Sequence, residues 1–170
     1  MKKSTFKLPT YLVVILASGL LMVQSCKTAP DYKVVRQEVM DLHDKVMADG
    51  EDAVRNKMLL DTLSRIKLPA IKTAQPALDT ALEQRKIAAL VAKLTKADDE
   101  MMDWMHAFQP DTEGKSNEQA VSYFRAEMVK ISALEKSYAR ALQESDAYLK
   151  KFDMKPNGHA ATDDHSKHGH

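Results

Sequence analysis

Apolar residues recur at steps of three and four along most of the chain. The last such stretch is the most regular: Val121, Phe124, Met128, Ile131, Tyr138, Leu142, Leu149 and Phe152 form one stripe, widened by Leu134, Ala141 and Tyr148. Glu135 and Ser145 are its polar members, while Lys130, Lys136, Lys150 and Lys151 face away. This spacing predicts an amphipathic helix over 116–152. Ser116 followed three residues later by Gln119 gives its start the form of a capping box. A second stripe, from Leu78 and Leu82 through Ile87, Leu90, Leu94 and Met101 to Trp104, Met105 and Phe108, predicts a helix over 77–108. Interspersed alanines add helix preference there.

The first stretch, 31–67, is less uniform. Val35, Val39, Leu42 and Val46 make one stripe and Leu60, Leu63 and Ile66 another, with Ala48-Asp49-Gly50-Glu51-Asp52 between them. A continuous seam would have to bury Asp49 or Gly50, so a helix kinked or broken near Gly50 is expected, or two shorter helices. Pro30, Pro69, Pro76, Pro110 and Pro156 all fall outside the three stretches, where proline does no harm to a helix. Three helices of about 50 Å with short connections must lie antiparallel to their chain neighbours. The expected fold is therefore all-α: an elongated antiparallel three-helix bundle with coiled-coil-like seams over 31–152. Residues 153–170 lack periodicity and are expected to form a flexible tail.

The composition narrows the class. A chain of 170 residues suits one domain, and 25 Lys+Arg against 24 Asp+Glu exclude a strongly basic nucleic-acid binder. Five glycines and six prolines argue against a turn-rich all-β fold. The single cysteine excludes an intramolecular disulfide framework and a four-cysteine zinc site.

The N-terminus carries an address. Lys2, Lys3 and Lys7 precede the apolar run Tyr11 to Val23, which is shorter than the roughly 20 residues of a membrane span. The run ends in Val23-Gln24-Ser25-Cys26. A small residue before a cysteine resembles the bacterial lipobox, so 1–25 is expected to be a lipoprotein signal peptide. Cys26 would then be the lipidated residue, followed by a linker over 26–30. The alternative is an ordinary secretory signal followed by a free cysteine. Gln24 departs from the enterobacterial pattern and fits the looser one of Bacteroidota lipoproteins. Cleavage before Cys26 removes three lysines and turns the net charge from +1 to −2. Lys27 stands where an acidic surface-export run would begin, so an outer-membrane anchor facing the periplasm is expected.

Candidate chemistry lies in two places. The tail carries His159, His165, His168 and His170, and imidazoles so spaced on a chain end can gather round Cu, Ni or Zn, with Asp163 and Asp164 completing the shell. A solvated tail with incidental histidines is the plainer reading. An antiparallel arrangement also brings Met40, His43, Met47, Met101, Met102, Trp104, Met105 and His106 towards one end, with Tyr123 and Phe124 opposite. On a simple hairpin register His43 is level with Met101, and Met101 with Tyr123. His43/Met47 and Met102/His106 are each one helical turn apart, and thioether with imidazole suits soft copper. Methionines filling core space beside aromatics is the competing account. There is no G-x-S-x-G, phosphate loop, H-E-x-x-H or C-x-x-C-H pattern, so no enzymatic activity is expected.

Two stretches, Glu38-Val39-Met40-x-x-His43-Asp44-x-Val46-Met47 and Asp98-Asp99-Glu100-Met101-Met102-Asp103-Trp104-Met105-x-x-Phe108, taken with the lipobox, resemble a group of small Bacteroidota lipoproteins often labelled "viral A-type inclusion protein". The resemblance implies no reaction, cofactor or substrate. The resulting expectation is a non-enzymatic binding or scaffold protein of the bacterial envelope. It is held to the membrane through Cys26 and meets an unidentified envelope protein, without nucleic acid. Self-association through leftover apolar surface is a further expectation. The rivals are a periplasmic metal-binding protein and a chaperone-like protein with an apolar groove near Gly50.

Overall fold

The computed structural model describes residues 30–156. Helix α1 spans Tyr32–Thr62, continues through a π-helical segment, Leu63–Lys67, and ends in α2, Leu68–Ala74. Helices α3, Thr80–Ala107, and α4, Asn117–Lys150, complete the fold, and no strand occurs among the described residues. Three helical arms pack against one another, the first and last most extensively. Tyr32 N–H donates to Asn117 Oδ1 at 3.0 Å, Lys45 Nζ to Glu135 Oε1 at 2.6 Å and Asn56 Nδ2 to Ser145 Oγ at 2.8 Å. Those pairs rise together along both helices, so α1 and α4 run parallel. The Lys57–Asp98 ion pair and the His43–Trp104 ring contact run in opposite order, which makes α3 antiparallel to α1.

Burial follows a seven-residue spacing. Val39, Val46, Ala53 and Leu60 are fully buried on α1, and Phe124, Ile131 and Ser145 on α4. Such positions keep one stripe against a neighbouring helix. Each buried Leu or Ile contributes roughly 1.5–3 kcal/mol relative to exposure.

Helix ends are set by short-range chemistry. Asp31 accepts from Lys33 N–H and Asp79 from Leu82 N–H, each at 2.9 Å, while Ser116 and Gln119 form the expected capping box. Asp79 therefore starts α3 three residues later than the apolar stripe predicts, leaving Ala77 and Leu78 in the turn.

Three expectations need correction. α1 runs unbroken through Gly50, because the buried Asp49 and Asp52 keep hydrogen-bonding or ionic contacts and Tyr138 covers the glycine. Pro69 lies inside the first helical arm, which reaches Ala74 rather than stopping at 67. Just before it, Leu68 N–H donates to Leu63 C=O, an i→i−5 bond. The widened π turn accommodates a proline ring that would press on an α-helical carbonyl. That turn also inserts one residue into the seam. Leu68 is fully buried, whereas Ile66, predicted to face the core, is 68% exposed. Third, Asp153–Pro156 do not begin a free tail. Asp153 adopts a left-handed φ of 54°, its N–H reaches Lys150 C=O, and Met154 N–H reaches Leu149 C=O at 3.1 Å. This is a Schellman cap, and it folds Met154 back onto the core.

Candidate functional site

Trp104 joins the bundle core to its surface. Its ring stacks on Phe108 with centroids 4.8 Å apart and lies 5.9 Å from the His43 ring. Its indole N–H donates to Glu127 Oε2 at 2.9 Å, and Lys130 Nζ donates to the other oxygen at 2.7 Å. Glu127 is 4% exposed, and its hydrogen bond raises the Lys130 ammonium above the ordinary lysine range. A buried carboxylate is tolerable here because both oxygens are satisfied.

Phe108 leaves α3 in an extended conformation and inserts beside Tyr123 and Phe124, while Gln109 N–H donates to Tyr123 Oη at 2.8 Å. The connection after α3 thus climbs along the first turns of α4 instead of turning over directly. Trp104 is consequently level with Glu127, and Tyr123 with Phe108. The predicted pairing of Met101 with Tyr123 is displaced by about two turns.

Beside Trp104, residues of α3 and α4 line a shallow groove of about 630 Å³. Ala107, Ala133 and Ser137 line it with small side chains, and Lys96, Lys130 and Arg140 bring positive charge. Glu100 and Asp103 are the acidic groups there. The Lys96 ammonium, by hydrogen bonding, holds the Glu100 carboxyl below its ordinary range, with Ser137 Oγ–H adding a 3.2 Å donor. Arg140 Nε donates to Lys136 C=O, and among the described residues Arg140 has no carboxylate in salt-bridge contact. Smaller hollows extend this face past Lys93 and Glu144 towards Lys86 and Lys151. The lining residues all belong to α3, α4 and the turn that follows α4.

On the opposite side, polar residues cross the core. Asn56 Nδ2 donates to Ser145 Oγ and to Asp146 Oδ1 at 2.6 Å. Tyr138 Oη donates to Asp98 Oδ1 at 2.9 Å, and Lys57 pairs with the other Asp98 oxygen. Burial first, then the Asp98 hydrogen bond, pushes the Tyr138 phenol well above its ordinary range. Near Gly50, Tyr138 packs over the glycine: a Cβ there would lie 3.4 Å from Tyr138 Oη.

Of the residues considered for metal, Met101 is buried, His43 is half-buried with Nδ1 2.9 Å from Asp44 Oδ1, and Met47 and Met102 are 42% and 48% exposed. His106 is exposed on the last turn of α3. No group of three or more His, Cys, Asp or Glu capable of holding an ion occurs among the described residues. Cys26, His159, His165, His168 and His170 lie outside the described residues, and no described helix is long and apolar enough to cross a membrane.

Sequence reasoning missed Glu127. One signal was available: it precedes Met128 at a seam step, seven residues before Leu134. The groove was also missed, although Ala133, Ser137 and Arg140 recur at helical spacing. Compared with protein-family models, curated proteins and solved structures, the chain matches none of them.

Proposed function

We propose that the protein is a lipid-anchored, non-enzymatic binding or scaffold protein of the bacterial cell envelope, attached through Cys26 and presenting the α3–α4 groove to a partner. The observation that carries the binding role is that groove: buried Trp104 and Leu134 in its lining, exposed small side chains and cationic groups beside them, and an arginine with no carboxylate in salt-bridge contact among the described residues. An apolar groove between two helices suits the apolar face of a third. The anchoring role rests on Val23-Gln24-Ser25-Cys26 and on the resemblance to small Bacteroidota lipoproteins. The seven-residue burial spacing supports a coiled-coil-like, elongated bundle, with α4 about 51 Å long. Because α1 and α4 run parallel, Pro30 and Pro156 lie towards opposite ends of the bundle, and the anchor is proposed to hold the protein at the outer membrane, facing the periplasm. Metabolic labelling with a fatty-acid analogue tests the anchor, with Cys26→Ala removing the label. Cross-linking and capture from the native envelope tests the binding role, and recovery of the chain with no specific partner, itself included, argues against it.

A second reading, metal handling, draws on Met102 and His106, both exposed and one turn apart on α3. Titration of Cu(I), Cu(II), Ni(II) and Zn(II) into the chain, with and without 157–170, decides it. Binding weaker than about 10 µM removes this reading.

A further inference from the structure

The outer face of α1 carries an apolar ridge. Met47, Val54 and Met58 are 42%, 48% and 66% exposed. With Glu51 and Asp61, both exposed, they fall within about 80° of helix circumference at 3.6 residues per turn. Asp44 flanks the ridge, and Arg65, paired with Asp61 at 2.6 Å, stands at its far end. Apolar side chains exposed in a row on a folded helix mark a surface that something covers. Methionine in particular adapts to an imperfectly matched partner.

The groove between α3 and α4 has the opposite character. Six basic residues line this face against three acidic ones, and Trp104, Leu134, Ala141 and Tyr148 are its buried members. α1 contributes nothing to that lining, so ridge and groove occupy different sides of one molecule. The ridge runs about 21 Å from Met47 to Asp61, shorter than the roughly 30 Å that α3 supplies between Lys86 and Ala107. Acid-flanked methionines meet the apolar surface of Trp104, Leu134 and Ala133 between lysines, and Arg140, with no carboxylate in salt-bridge contact among the described residues, gains one.

We propose that the occupant of the groove is a second copy of this chain, which inserts the Met47–Asp61 ridge of its α1. The proposal rests on reading the α3–α4 groove as the binding face, and it names the partner. Because ridge and groove are different surfaces, the contact is head-to-tail and repeats from copy to copy, giving a ring or an open row. Tethering at a membrane raises the effective concentration of copies and favours such an array.

Sedimentation velocity on residues 26–170, which contain every described helix, tests the proposal from about 5 µM to about 500 µM. The natural chain is expected to grow beyond dimer with concentration, and to do so less at high salt. A ridge variant, Val54→Lys with Met58→Glu, and a groove variant, Lys96→Glu with Arg140→Glu, should each remain monomeric with unchanged helical circular dichroism. Mixed in equal amounts, the two should form a species of two chains and nothing larger, since each retains one intact half of the contact. Because all four positions are exposed, single substitutions replace either pair if a double variant loses helicity. A natural chain that stays monomeric throughout, a variant that still assembles, or a mixture that stays monomeric overturns the second copy as occupant. In-cell cross-links from the groove to a different protein would also overturn it, while leaving the groove's binding role standing.

Discussion

The indole N–H of Trp104 donates to a carboxylate, Glu127, that is almost completely shielded from water, 2.9 Å away on the facing helix. The bond ties α3 to α4 at the wall of the groove. It also fixes the register of the two helices, since Glu127 has no other satisfactory place in an apolar seam.

Trp104→Phe keeps most of the ring packing and removes this donor, leaving Glu127 with Lys130 alone. The expected loss is about 1–3 kcal/mol in chemical denaturation. Glu127→Leu alone should cost less than the sum of its lost contacts, because the unsatisfied charge goes with it. A double-mutant cycle in which the two effects add independently would show that the pair is not coupled.

The π segment makes two neighbouring apolar residues unequal. Leu68→Ala should destabilise by about 2–5 kcal/mol, as expected for a fully buried leucine. Ile66→Ser should stay within about 0.5 kcal/mol of the natural chain. An uninterrupted α-helical seam predicts the reverse order, so urea denaturation of the two variants separates these arrangements.

Gly50 sits in an ordinary helical stretch, and an added Cβ would meet Tyr138 at van der Waals distance. Gly50→Ala should therefore stabilise by about 0.4–1 kcal/mol, by restricting the unfolded chain. A fall in Tm would mean that the Tyr138 hydroxyl cannot share the space.

Tyr138 donates to Asp98, and Tyr148 donates to Glu83 Oε2 at 2.7 Å. Burial and then these hydrogen bonds raise both phenols in the folded state. A raised folded value means that the stabilisation is complete below the unfolded phenol value of about 10 and is lost as pH climbs above it. Thermal melts should show stability falling steeply from about pH 10 upwards, with a shallower fall in Tyr138→Phe/Tyr148→Phe. At the acid end, hydrogen bonds from Lys86 and then Tyr148 hold Glu83 below its ordinary range. Its contribution is present above the unfolded glutamate value and disappears as pH falls through the folded one. Glu83→Gln should flatten that acid limb.

The helical layout was legible because stripes such as Val121–Phe124–Ile131 repeat at a spacing that only a helix turns to one side. Capping by Ser116 was equally local, and the Ser116–Gln119 box could be read directly, whereas the Asp79 cap that starts α3 was not read. The π turn could not be read, because Pro69 looks like a helix end until Leu63 and Leu68 are seen to share one seam. Nor could continuity through Gly50, where buried Asp49 and Asp52 find partners rather than break the helix. The groove required knowing which sides of α3 and α4 are left uncovered by α1, and that depends on a register set by Phe108 and Glu127.

The most direct measurement places a photo-cross-linking amino acid at Ala133, in the groove, and separately at exposed Glu118, away from it, in cells carrying the full chain. The account predicts a discrete cross-linked product from Ala133 that is absent from Glu118 and lost when Lys96 and Arg140 are reversed in charge. Equal products from both positions, or none from Ala133 while the chain is present at normal abundance, would contradict it.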